Sequence, residues 1–297
     1  MRLFYGCAKL SFLKLTHLEI IVMSRINRLF NWEDLEQVER DPMVEKMKRL
    51  VHELKEKGLA TTSRGCLEIS NLNDKNYENT VYPMRSWEYS TVVSVCQITR
   101  GEKVLECGGS SSPLVFYLAQ MGVRVTTIEL QRSLVENARK VAQTMVWNID
   151  AQLGDLTQLK FQDESFDRVL CVSVLEHIVD RLKKKGMAEM ARVLKPGGIL
   201  AVTFDYGSST GWKHHPLRSL THIREVLVKP SGLEICGGER LSEPQLNKAV
   251  PIEFPAYLLR FIRGGYRTEK ALRSVLRMSY PKGAYYCFGL FLEKRAT

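Results

Sequence analysis

The chain has 297 residues, 44% of them hydrophobic and 9% aromatic, which suits one large domain or one domain with sizeable additions and excludes global disorder. Seven cysteines stand singly with no CxxC pair, arguing against a disulfide framework or a structural zinc and fitting a reducing, cytoplasmic setting. The formal charge of +10 is mostly local: nine Lys/Arg between Ala256 and Thr297 oppose only Glu269 and Glu293, so this stretch carries +7.

No apolar run approaches the ~20 residues of a membrane span. Residues 1–22 are interrupted by Lys9, Lys14 and Glu19, unlike a signal peptide, and Met23 is an equally good start. Those residues therefore read as a dispensable extension. Within 31–58, Met43, Met47, Leu50, Val51 and Leu54 fall at helical spacing, and Gly58 sits where that helix would be capped. A loop-like stretch over 59–84 precedes a second helix, RSWEYSTVVSVCQI, ending near Thr99. We expect 1–84 to form a helical extension or lid, and 85–297 to form the main domain.

From Gly101 short apolar runs alternate with helical stretches: KVLECGG, SPLVFYLAQMG, VRVTTIEL, SLVENARKVAQTM, NIDAQLGD, FDRVLCVSVLEHI and MAEMARVL. The turn KPGG, the strand ILAVTFDY, the helix HIREVLVKPSG and the short strand LEICGGE follow, and AYYCFGLFLEK is the best remaining strand. Strands with fully apolar centres, each followed by a helix, indicate an α/β fold with a parallel sheet covered on both faces. The residues at about 240–283 break the alternation and read as an inserted cap.

VLECGGSSSP places a glycine turn between strand and helix. Gly108 and Gly109 remove the Cβ atoms that would keep a ligand off the backbone, and the next helix start suits an anion. Glu129 ends the second strand, 23 residues after Glu106, where an acid can accept both hydrogen bonds of a ribose diol. Asp155 ends the third, where a carboxylate can meet an adenine amino group. The turn lacks the spaced GxGxxG of nicotinamide enzymes.

With VLECGGSSS, VTTIEL, LGDL, FDRVLCVSVLEHI and ARVLKPGGILAVTF in place, the chain resembles the class I S-adenosylmethionine-dependent methyltransferases. It is most similar to their small-molecule, quinone-biosynthesis-like group (type 11), over roughly 85–240 plus AYYCFGLFLEK. The resemblance implies a Rossmann-like, doubly wound seven-stranded sheet, helices on both faces. Its last strand would be antiparallel, the hairpin partner of the preceding one. It implies that Glu106, Gly108, Gly109 and Ser110 lie along the methionine portion of the cofactor, that Glu129 takes the ribose hydroxyls and that Leu130 lies beside the adenine. Asp155 and Leu156 would bracket the adenine, and Ser173 would sit below the sulfonium. The family often has three glycines at alternate positions, whereas this chain has Gly108, Ser110 and Ser112; a serine in left-handed geometry there would be costly.

His177 is the candidate base after the fourth strand, the alternative being a histidine packed on the sheet edge. SVLEH replaces the first carboxylate of the metal-binding ExxEH of some relatives with Ser173, a poor site without His214 or His215, so no metal is expected. Tyr206, with Asp205, and Trp212, His214 and His215 are candidate linings of the acceptor pocket. Trp87 and Tyr89 either close over the cofactor or pack on the sheet. The basic residues Arg260 to Arg277 read as a cap face in preference to a nucleic-acid contact. No Asn/Asp-Pro-Pro-aromatic motif follows the fourth strand. The expected activity is methyl transfer from S-adenosylmethionine to the oxygen or nitrogen of a small-molecule acceptor. Methylation of RNA or another phosphate-bearing substrate, and a cofactor-binding protein without catalysis, are the alternatives.

Overall fold

A computed structural model describes residues 27–29, 38, 40–62, 83–206, 215–238, 241 and 286–296. The strands are β1 (Arg28–Leu29), β2 (Lys103–Cys107), β3 (Arg124–Glu129), β4 (Ile149–Leu153), β5 (Phe166–Val172), β6 (Leu194–Tyr206), β7 (Glu234–Ile235) and β8 (Tyr286–Glu293). The helices are α1 (Pro42–Glu56), α2 (Pro83–Cys96), α3 (Pro113–Gln120), α4 (Arg132–Met145), α5 (Asp180–Val193) and α6, a run over 220–231 with a π-helical stretch at Arg224–Val228. Residues 1–22, most of the expected cap at 240–283, Trp212, His214 and the basic cluster Arg260 to Arg277 lie outside the described residues.

These strands form one sheet in the order β1–β8–β6–β5–β2–β3–β4, with β7 also on β8. Pairing is parallel from β6 through β5, β2 and β3 to β4, and β8 is antiparallel to β6, β7 and β1. The seven strands β2–β8 are therefore the expected mostly parallel sheet with a reversed last strand. Its long partner is β6, matched from Ile199↔Glu293 to Tyr206↔Tyr286, whereas β7 contributes only two paired positions. The chain runs outward from β2 to β3 and β4, then returns to place β5 on the other side of β2. That reversal opens a crevice at the carboxyl ends of β2 and β5.

The apolar strand centres divide between two cores. Val104, Leu170, Ala201 and Phe291 pack with α1, α2, α3 and α4 through residues such as Leu50, Val92, Leu114 and Val135. Their strand neighbours Leu105, Val169, Val202 and Leu290 point the other way, onto Met187 and Met190 of α5 and Val226 and Leu227 of α6. Asp41 caps α1 by accepting the Met43 N–H, Pro42 starts the helix, and Val44, Met47, Leu50, Val51 and Leu54 form its buried stripe. Asp41 also accepts the Ser90 hydroxyl, joining α1 to α2.

Two local features differ from the sequence reading. KPGG is the bulged beginning of β6, which starts at Leu194, and the register on β5 shifts between Phe166 and Arg168. Gly197 has φ +76° there, and a Cβ on Gly198 would lie 2.8 Å from the Asp167 carbonyl oxygen, so both positions need glycine. The second feature is β1, which shares the outer edge of β8 with β7. Between them the buried Asn27 amide stands in for a peptide group, donating to the Cys236 carbonyl (2.8 Å) and accepting from the Phe291 N–H (2.7 Å).

Candidate active site

The glycine turn follows from what surrounds it. Gly108 has φ +96°, its N–H donates to the Ile128 carbonyl (2.9 Å), and a Cβ there would lie 2.6 Å from Val174 Cγ2. Gly109 donates to Glu106 Oε2 (2.9 Å), and a Cβ on it would lie 2.5 Å from Glu106 Oε1. Thr127 Oγ1 donates to the same Oε2 at 3.0 Å. With its one proton committed, Thr127 accepts from Ser110 Oγ at 2.9 Å. Burial pushes the Glu106 carboxyl up to about 8, opposed by the bonds from Gly109 and Thr127.

The serines carry no backbone strain, because none of Ser110, Ser111 and Ser112 has positive φ. Ser111 donates to the Leu134 carbonyl, and Ser112 caps α3 by accepting the Val115 N–H. Ser110 is fully buried against Thr127, and it is Ser112 that lines the cleft, together with Thr62, Arg85, Tyr89, Glu106, Gly108, Gly109, Leu134, Val172 and Ser173. Thr62 arrives from the segment after α1: its N–H donates to the Ser111 carbonyl (2.9 Å), and Asn137 Nδ2 donates to the Ala60 carbonyl (2.9 Å). The N-terminal segment is thereby bonded to the turn itself.

Along the rim, Glu129 is buried at the end of β3, with Oε1 accepting the N–H groups of Leu130 and Gln131 (2.8 and 3.1 Å). Burial raises its carboxyl, opposed by those two bonds. Its carbonyl accepts from Gly154, which places the exposed Asp155 alongside. Leu130 is 71% exposed and Leu153 51%, large apolar side chains left open to solvent. Leu156 differs, since it packs into the core against α5, where a Cβ on Gly186 would lie 2.1 Å from its Cδ1.

The β5–β6 side of the cleft is built from distant parts of the chain. Ser173, at φ +50°, donates through Oγ to Glu88 Oε1 at 2.5 Å. Thr203 Oγ1 and Cys287 Sγ donate to the same oxygen at 2.6 and 3.2 Å, and Arg85 Nη1 meets Oε2 at 2.6 Å. Glu88 is fully buried. Beyond Ser173, Leu175–His177 form a 3₁₀ turn in which Glu176 is buried and His177 half exposed, its Nε2 3.9 Å from Glu176 Oε1.

Sequence reasoning missed Arg85 and Glu88, although it singled out their neighbours Trp87 and Tyr89. No sequence signal marked them: Ser86 to Val93 are all buried, polar residues included, which only the docked helix shows. Trp87 packs on the sheet, 3.3 Å from where a Cβ on Gly289 would lie, while the mostly buried Tyr89 reaches the cleft. Tyr206 lies in the second core, 5.7 Å from the Phe288 ring, so Asp205 is the member of that pair that faces Glu176. His215 lines a separate recess with Asp180, Arg218 and His222. Among the described residues no three His, Cys, Asp or Glu are grouped to hold a metal.

A doubly wound sheet with a glycine turn on a buried acid at its switch point defines a Rossmann-like, nucleoside-binding class of protein. Residues 105–202 match the family model described as a methyltransferase domain. The chain is 30% identical over 176 residues to the methyltransferase GfsG of Streptomyces halstedii, covering 54% of this chain and 62% of that protein. It is 33% identical over 105 residues to the ubiquinone biosynthesis O-methyltransferase of Coxiella burnetii, covering 35% and 44%. The match therefore spans less than two thirds of either relative. Among solved structures the fold matches the cyclase SpnF at TM-score 0.53 and 18% identity, over 86% of this chain and 93% of that one. Residues 105–202 therefore carry a methyltransferase domain, and over that stretch the chain is similar to the class I S-adenosylmethionine-dependent methyltransferases. No helix among the described residues is long and apolar enough to cross a membrane.

Proposed function

We propose that the protein transfers a methyl group from S-adenosylmethionine to a small-molecule acceptor, at oxygen or nitrogen in preference to carbon. The observation that carries this reading is the cleft in which Gly108 and Gly109 back onto the buried Glu106, with Arg85 and Ser112 among its walls and Ser173 beside Val172. The residues fit the cofactor. A Cβ at either glycine would crowd the cradle, and Leu130 and Leu153 are exposed beside the acid that would take a ribose.

In this reading Glu106 receives the ammonium and Arg85, with the start of α3, the carboxylate of the methionine portion. Glu129 holds the ribose hydroxyls, Leu130 and Asp155 flank the adenine, and Ser173 lies beneath the sulfur. When bound, S-adenosylmethionine supplies an activated methyl group on a sulfonium. The protein's contribution is alignment: Glu88 fixes Ser173 and Arg85, so the carboxylate and the sulfur of the methionine portion are referred to one buried carboxylate. Residues 1–84 act as a lid, since Thr62 both lines the cleft and bonds to the turn. A cytoplasmic setting belongs to the same proposal.

Calorimetric titration with S-adenosylhomocysteine is the test. Saturable heat at one site per chain is expected, and the absence of binding would remove the reading.

A further inference from the structure

We propose that Glu176, buried at the tips of β5 and β6 next to the cleft, receives the acceptor's proton, and that its acidic surroundings select an acceptor presenting a hydroxyl or a protonated amine. This rests on the methyltransferase reading. The chain after β5 runs directly over the glycine turn: Val172 and Ser173 line the cleft, and Val174 abuts Gly108. Glu176 follows on the 3₁₀ turn. It is 2% exposed, and its Oε2 is buried without a hydrogen-bond partner. A carboxyl oxygen closed off from both water and protein donors is costly, and a ligand that brings a donor relieves that cost.

The surroundings select the donor. Glu176 faces Asp205 from β6, and Glu88 and Arg85 from α2, three carboxyls against one guanidinium. His177 Nε2 stands 3.9 Å from Oε1, and the His215 N–H is committed to the Glu176 backbone carbonyl at 2.7 Å. An excess of buried negative charge favours a cation or a proton donor over an anion. Burial first, and then Asp205, push the Glu176 carboxyl up to about 8 against the pull of Arg85, which suits a proton acceptor near neutral pH. His177, with its ring half in solvent, is less shielded for this task.

The step balances without another reactant. A protonated amine gives up its proton first and so frees a lone pair, whereas a hydroxyl loses its proton as the bond forms. The lone pair forms the bond to the methyl carbon, and the electron pair of the broken methyl–sulfur bond stays on sulfur. The acceptor's proton passes to the Glu176 carboxylate and then to solvent.

Calorimetry of the full chain at pH 8, in buffers of different ionisation enthalpy, tests the placement before any acceptor is known. A sulfonium nearby shifts the Glu176 ionisation about tenfold, so S-adenosylmethionine should release about 0.4 more protons per site than neutral S-adenosylhomocysteine. The sulfonium also acidifies the ligand's own amino group, so the wild-type chain is read against Glu176→Gln, in which that contribution is unchanged. The extra release should be absent in Glu176→Gln, and Asp205→Asn should move its pH maximum downward. Sinefungin, which carries an amine where the transferable methyl sits, should bind at least ~10-fold more weakly to Glu176→Gln, with S-adenosylhomocysteine unchanged. The same difference in proton release between the two ligands in the wild-type chain and in Glu176→Gln, or equal losses for sinefungin and S-adenosylhomocysteine, overturns the proposal and leaves the methyltransferase reading standing. Failure of every ligand to bind overturns both.

Discussion

On the β2–β3 side of the crevice, polar side chains bond close to home: Glu106 to Gly109 three residues on, Thr127 to Glu106 across 21. On the β5–β6–β8 side, Glu88 gathers Ser173, Thr203 and Cys287 across 85, 115 and 199 residues. The first half is a turn that carries its own partners, and any chain with that stretch of sequence builds much of it. The second exists only once α2 has docked on the sheet. In the proposed reading, relatives can share the locally bonded half and differ in the half assembled from distant residues, where the acceptor would enter.

Breaking each half separately sharpens that contrast. Glu88→Ala should have the largest effect, because it removes the buried carboxylate that pairs with Arg85 and accepts from Ser173 and Thr203. A loss of about 3–5 kcal/mol in denaturant unfolding is expected, with a smaller change in S-adenosylhomocysteine affinity. Gly109→Ala should do the reverse. Its Cβ would sit 2.5 Å from Glu106 Oε1 and displace that carboxyl, so the ligand should bind at least ~100-fold more weakly, about 2.8 kcal/mol, in a folded chain. If the two variants behave alike, the division between the halves is wrong.

Next, Glu129→Ala should weaken the ligand by about 1.5–3 kcal/mol through lost ribose bonds, and unchanged affinity would displace the ribose from β3. A further expected effect, on stability and not on ligand affinity, is one of pH. Glu106 sits at about 8 in the folded chain, above its ordinary value of 4.5. Its contribution to stability is therefore complete below about pH 4.5, is lost as pH rises through about 8, and is constant beyond. Melting temperatures of the ligand-free protein should fall over that interval, and Glu106→Gln should flatten the fall. Parallel curves for the two proteins would mean that Glu106 is not held in a dry site.

The half that was legible in the sequence is the half with local bonds. Alternating apolar runs marked β2 through β6 and β8, and the glycine turn with Glu106 and Glu129 marked the rim. Where the reading slipped, a neighbour one or two residues away took the place. Ser112 lines the cleft and Ser110 is spent on Thr127; Asp205 faces Glu176 and Tyr206 turns into the core. For Asp205 and Tyr206 the reason is that side chains alternate across a strand, so an error of one position exchanges the crevice for the core.

The sequence by itself determined the α/β alternation, the glycine turn and the two acids at strand ends, because each depends on spacing and steric size within a few residues. Only the tertiary structure decided that α2 would bury Glu88 beneath Ser173, that Glu176 would be sealed without a partner, and that Asn27 would close the gap between β1 and β7. Those outcomes depend on which distant groups are excluded from water together, and water exclusion is a property of the packed chain.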